Sequence, residues 1–114
     1  LEGFDWRAAE ARLNRFPQFK AEVDGIDIHF VCERGSGTDR RPLILLHGWP
    51  GSYLEFLDCV ERLAHPERHG GRAADGRDVV VPSLIGYGYS GKPPRPVDPR
   101  EQARAMDRLM TGVL

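Results

Sequence analysis

At 114 residues the chain has room for one domain, able to bury roughly two-thirds of the surface its unfolded form exposes. A hydrophobic fraction of 40% and a charged fraction of 29% are globular values and exclude a disordered chain. The net charge of −1, with both signs dispersed, excludes a basic nucleic-acid face or a polybasic membrane patch. Arginine outnumbers lysine 14 to 2, a compositional bias of the source genome rather than a functional signal. Cys32 and Cys59 form no C-x-x-C pair, so a disulfide framework is not expected and a reducing cytoplasm is the default location. No apolar stretch approaches the roughly 20 residues that span a bilayer, and no secretory signal is visible. The chain opens at Leu1 without an initiator methionine, and both ends are expected to be cut ends.

In chain order, Asp5 to Asn14 reads as a short helix with Asp5 as N-cap and Trp6, Ala9 and Leu13 as its apolar stripe. Phe16-Pro17 ends it. Gln18–Val23 and Ile26–Glu33 alternate and are joined by Asp24-Gly25, a hairpin signal. Gly35 to Arg41 reads as a polar loop. The apolar run Leu43 to Leu46 suits a strand buried on both faces. Ser52 and Glu55 stand at capping-box spacing ahead of a helix to Ala64. Its apolar face is Tyr53, Phe56, Leu57, Val60, Leu63 and Ala64. His65 to Arg77 reads as a polar loop, and Asp78 to Leu84 as a second buried strand. A Gly- and Pro-rich turn from Gly86 to Pro96 precedes a last helix, with Asp98 as N-cap, Pro99 at N1 and a stripe of Met106, Leu109, Met110 and Val113. A hairpin followed by β-α-β-α predicts an α/β sheet with right-handed crossovers.

Four motifs bear on chemistry. His47-Gly48-Trp49-Pro50 follows a buried strand and precedes a helix. Such a turn presents backbone N–H groups where negative charge can develop, although a tight turn alone would satisfy the same residues. A cis Trp49-Pro50 bond would aim the Trp49 N–H into a cleft, and His47 reads as a structural hydrogen-bonder rather than a proton shuttle. Gly86-Tyr87-Gly88-Tyr89-Ser90-Gly91 spells G-x-G-x-x-G, but Lys92-Pro93-Pro94 follows at once and prevents the helix a dinucleotide site needs. His65-Pro66-Glu67-Arg68-His69 lacks the H-E-x-x-H order and helix of a zinc site, so no metal is expected there. No serine lies in G-x-S-x-G. Asp58 faces away from the apolar stripe and Asp78 precedes a strand, so neither stands where a carboxylate nucleophile belongs.

Several segments together resemble the epoxide hydrolases of the α/β-hydrolase superfamily, in the microsomal-like branch with an N-terminal extension. The extension matches at Phe4-Asp5-Trp6-Arg7, Leu13-Asn14-Arg15-Phe16-Pro17-Gln18-Phe19 and Asp24-Gly25-Ile26-Asp27-Ile28-His29-Phe30. The body matches at His47 through Phe56 and at Val81 through Gly91. The resemblance implies an aspartate nucleophile, an ester intermediate, a histidine-activated water and lid tyrosines, none of them in this chain. It assigns Trp49 as the oxyanion-hole backbone N–H, with His47, Gly48 and Pro50 supporting that turn. It makes Gly86, Gly88 and Ser90 a structural turn, residues 1–18 an N-terminal extension of helix and loop, and residues 19–114 the first half of the core domain. Tyr53 is expected either to line a pocket or to pack in the core. The complete protein would turn a small epoxide into a vicinal diol without metal or organic cofactor, and this segment alone would be inactive. Dehalogenation, ester hydrolysis and a non-catalytic interaction module are the alternatives. The expected partner is the missing C-terminal half, or another chain, against an exposed edge at the Leu43 strand.

Overall fold

The computed structural model describes residues 3–38 and 41–114. The elements are α1 (Trp6–Leu13), β1 (Gln18–Val23), β2 (Ile26–Glu33), β3 (Leu43–Ile44), α2 (Leu57–Ala64), β4 (Val79–Pro82) and α3 (Pro99–Arg108). Leu1 lies outside the described residues, as do Asp39 and Arg40 of the expected polar loop.

β1 and β2 pair antiparallel in register from Gln18↔Val31 to Val23↔Ile26. Asp24 and Gly25, both at positive φ (53° and 78°), form the two-residue turn, whose twist matches that of the flanking strands. The sheet order is β1-β2-β4-β3, with β2 and β4 antiparallel and β3 and β4 parallel. The four residues of β4 are all buried and alternate between two cores. Val79 and Val81, with Val31, meet Phe16, Leu57, Val60 and Ala64 on the α2 face. Val80, with Ile28 and Phe30, meets Ala105, Met106 and Leu109 on the α3 face. Each of the valine, leucine, isoleucine, phenylalanine and methionine side chains among them, once fully buried, contributes about 1.5–3 kcal/mol.

Element ends are set by side-chain caps. The Asp5 carboxylate accepts the Ala8 N–H at 3.0 Å to start α1. Asp98 accepts the Glu101 N–H at 2.9 Å and Glu101 accepts the Asp98 N–H at 3.2 Å, a reciprocal cap on α3.

Six expectations need revision. α1 buries none of its residues, and Trp6 is 59% exposed, because an eight-residue helix has only Leu13 against the core. β3 ends at Ile44 rather than Leu46, although the Leu45 N–H still donates to the Val80 carbonyl at 2.9 Å. The chain leaves the ladder there to turn through His47. The Tyr53–Ala64 helix opens with a tighter 3-10 turn over Tyr53–Phe56, and β4 is shorter than the run from Asp78 to Leu84. Two 3-10 turns, Pro66–His69 and Ala73–Asp75, order the loop after α2. Past α3 the chain widens into a π turn, Leu109–Val113, that leaves Val113 exposed.

Candidate functional site

Two turns meet at the carboxyl end of the parallel pair. The first follows β3. Gly48 O accepts the Gly51 N–H at 2.7 Å, closing it around a cis Trp49-Pro50 bond. Ser52 then caps the next turn through Leu54 N (3.4 Å), while Glu55 accepts the Ser52 N–H (3.3 Å). Trp49 is 83% exposed, and among the described residues no protein group accepts its backbone N–H. A backbone donor left without a partner at a tight turn is available to a ligand anion.

His47 is buried and holds this turn to its neighbour. Its Nε2 accepts the Leu84 N–H at 3.1 Å, and its ring meets Tyr87 edge-on with centroids 5.1 Å apart.

The second turn follows β4 and runs from Ser83 to Gly91. Tyr87 N–H donates to Leu84 O (2.9 Å), Ser90 N–H to Tyr87 O (3.0 Å) and Gly86 N–H to Gly91 O (3.0 Å). Gly86 and Gly88 have φ of 84° and 51°, a region open to glycine at little cost. A Cβ on Gly88 would also lie 2.6 Å from Ser83 Oγ. No helix opens at Gly91, since α3 starts only at Pro99. Gln102 of α3 grips the turn through both the N–H and the carbonyl of Ile85, each at 3.2 Å.

A buried polar network under this turn was not singled out from the sequence. Gln18 Nε2 donates to Leu13 O at 2.6 Å and to Asn14 Oδ1 at 3.3 Å, so its Oε1 faces His29 Nε2 at 2.8 Å and accepts from it. His29 Nδ1 then accepts from the Ser83 hydroxyl at 2.9 Å. The His29 N–H donates to Ser90 Oγ at 2.9 Å, and Ser90 Oγ–H donates to Ser83 O at 2.7 Å. Burial, reinforced by the Lys20 charge, lowers the His29 pKa to about 4, so the ring is neutral at ordinary pH. The available signal was a polar residue inside the apolar run Ile28–Val31, all of it buried. Serines in a turn are too common to stand out.

Tyr53 is buried with Phe16, Val31 and Leu57 in the α2 core, and its ring meets His29 edge-on at 4.9 Å. Its hydroxyl is buried with no hydrogen-bond partner, and burial raises its pKa. Asp58 pairs with Arg12 at 2.9 Å on the outer face of α2, and Asp78 accepts the Gly35 N–H at 2.7 Å. His65 binds Glu33 at 2.7 Å rather than facing His69. Among the described residues no cluster of three metal-ligating side chains exists.

A strand order of β1-β2-β4-β3 with turns after β3 and β4 is that of the N-terminal part of an α/β-hydrolase sheet. Residues 41–112 match the family described as alpha/beta hydrolase fold, and the chain belongs to that family. Residues 1–56 match the family described as epoxide hydrolase N terminus. Over 91 residues the chain is 40% identical to epoxide hydrolase 1 of Sus scrofa, covering 76% of this chain and 20% of that one. The Aspergillus niger epoxide hydrolase structure superposes with a TM-score of 0.80 at 42% identity, over 96% of this chain and 28% of that one. The Bombyx mori juvenile hormone epoxide hydrolase gives 0.84 at 32% identity, over 98% and 27%. Within the family the likeness is thus to epoxide hydrolases, of which the chain corresponds to the N-terminal portion, a fifth to somewhat over a quarter of their length.

Proposed function

We propose that the protein containing this segment hydrolyses epoxides to vicinal diols and that the segment supplies one of its oxyanion donors, the Trp49 N–H. The observation that carries this reading is a backbone donor without a protein acceptor, on a turn closed by Gly48 and Gly51 and held by His47. It is supported by the likeness to epoxide hydrolases over most of the chain.

In this reading an aspartate carboxylate outside the segment attacks one epoxide carbon. The carbon–oxygen bond breaks, and a lid tyrosine delivers a proton to the departing oxygen. The resulting ester is attacked by water, whose proton passes to a histidine, and its carbonyl oxygen becomes an oxyanion. Two backbone N–H groups hold that oxyanion, one of them from Trp49, and a donor of this kind is worth about 2.7–4 kcal/mol. His47, Gly48 and Pro50 shape the donor turn, while Gly86, Gly88 and Ser90 shape the wall beside it. The segment alone is inactive because nucleophile, base and lid acids lie elsewhere.

The same reading assigns the open side of β3 to the remainder of the sheet. An apolar cleft of about 510 Å3 lies beside it, lined by Leu46, His47, Leu84, Tyr87, Val97 and Met106. Free cysteines, Cys59 exposed and Cys32 half-buried, suit a reducing cytoplasm. Among the described residues no helix is long and apolar enough to cross a membrane. The test is diol formation from styrene oxide, with intact mass recorded on both samples. The full-length protein should form diol and the 12.8 kDa segment should not. A full-length protein inactive on epoxides overturns the reading.

A further inference from the structure

Four hydrogen bonds run head to tail from β2 to the turn after β3. The His29 N–H donates to Ser90 Oγ (2.9 Å), and that hydroxyl donates to the Ser83 carbonyl (2.7 Å). The other end of the same peptide unit, the Leu84 N–H, donates to His47 Nε2 (3.1 Å). Accepting at Nε2 leaves the neutral-ring proton on Nδ1, which faces the Gly48 carbonyl at a long 3.4 Å. That carbonyl also accepts the Gly51 N–H, and its own peptide unit ends in the Trp49 N–H. The Gly48–Trp49 bond is trans, so C=O and N–H point in opposite directions. Hydrogen bonds accepted at the carbonyl therefore fix the direction of the N–H and make it a stronger donor, and bonds in series polarise one another.

We propose that Ser90 is a positioning residue for the oxyanion donor. Its hydroxyl ties β2 to the Ser83–Leu84 peptide and, through His47, sets where the Trp49 N–H points. The inference rests on the epoxide-hydrolase reading above and deepens it. Ser90 touches no reacting atom. Alanine at this position removes the acceptor of the His29 N–H and the donor to Ser83 O, so the Ser83–Leu84 peptide tilts and His47 follows. The step that suffers is hydrolysis of the ester, where the carbonyl oxyanion forms, and not ring opening, where none does. Slowing the second of two steps lowers kcat and KM together and lets the ester accumulate. A turn that was only loosened would lower the active fraction and leave KM unchanged.

The full-length protein is compared with Ser90→Ala, Ser90→Thr and Asp98→Ala, using styrene oxide turnover and rapid-quench intact mass. In Ser90→Ala, kcat is expected to fall about tenfold, less than the 10²–10³ typical of losing a donor outright. KM should fall in parallel and the ester adduct should grow. Threonine keeps the hydroxyl and should restore most of the rate. Asp98→Ala removes the cap of α3 and touches no member of the relay. It should lower Tm with KM and adduct fraction unchanged. If Ser90→Ala fails to fold, Ser90→Cys keeps the volume with a weaker donor and should show the same kinetic pattern. An unchanged KM with no added adduct in Ser90→Ala, or in Ser90→Cys where that variant stands in for it, overturns the proposal alone, as does equal adduct in Asp98→Ala. A full-length protein that forms no diol overturns the functional reading and this proposal with it.

Discussion

His29 is the residue on which most local structure converges. Its cross-strand neighbour is Lys20, its ring is edge-on to Tyr53 and Tyr89, and both ring nitrogens are bonded. A pKa lowered from 6.5 to about 4 means that the unfolded chain binds a proton below 6.5 that the folded chain refuses until about 4. Stability is therefore fully present above 6.5 and falls as pH drops through that window, by roughly 2–4 kcal/mol from this group. Urea titrations of the wild type and His29→Gln from pH 7 to 4 should show a steeper loss in the wild type; parallel curves would remove His29 as the cause. Tyr53 gives the opposite case. Its buried, unpartnered hydroxyl carries a desolvation cost that Tyr53→Phe removes, so the variant should be more stable by about 1 kcal/mol, read as a higher Tm. Gly88→Ala meets both positive φ and Ser83 Oγ, and should cost about 2–3 kcal/mol by the same measurement.

At the element scale, what the sequence displays best is its caps and periodicity. Asp5, Ser52 and Asp98 were all readable as caps and all cap, because a cap is decided within four residues of chain. Asp98→Ala should lower stability by about 1 kcal/mol, seen in denaturant midpoint at unchanged slope. The glycine turn was legible from composition alone, and the His-Gly-Trp-Pro turn from its place after an apolar run. The exposed face of Trp6 was not. Periodicity marks an apolar stripe but not whether anything lies opposite it, and α1 is too short to reach the sheet with more than Leu13. The early end of β3 was equally hidden, since Leu45 and Leu46 continue the apolar run while the backbone already turns.

Across the whole molecule, β4 and β3 are unequal. β4 lies between β2 and β3 with every residue buried, whereas β3 is an edge. The Leu43 N–H donates to the Asp78 carbonyl just before β4 and the Leu45 N–H to that of Val80, so strand alternation turns the peptide groups of Ile44 outward, and Leu46 beyond it is 46% exposed. An unpaired apolar edge is a template for association. Expressed alone, the 114-residue segment should sediment as a heterogeneous population, and Leu46→Lys should shift it toward monomer. A monodisperse wild-type segment that unfolds cooperatively would sink this prediction.

The order of elements, their caps, the hairpin register and the residues of the Trp49 turn were determined by the sequence itself, because each rests on contacts within a few residues. The tertiary structure alone decided that His29, Ser83, Ser90 and His47 form one directed chain of hydrogen bonds ending at the Trp49 peptide. Those residues come from β2, the turn after β4 and the turn after β3, up to 61 positions apart. Local propensity carries no information about which buried donor meets which buried acceptor; that matching exists only once the strands have paired.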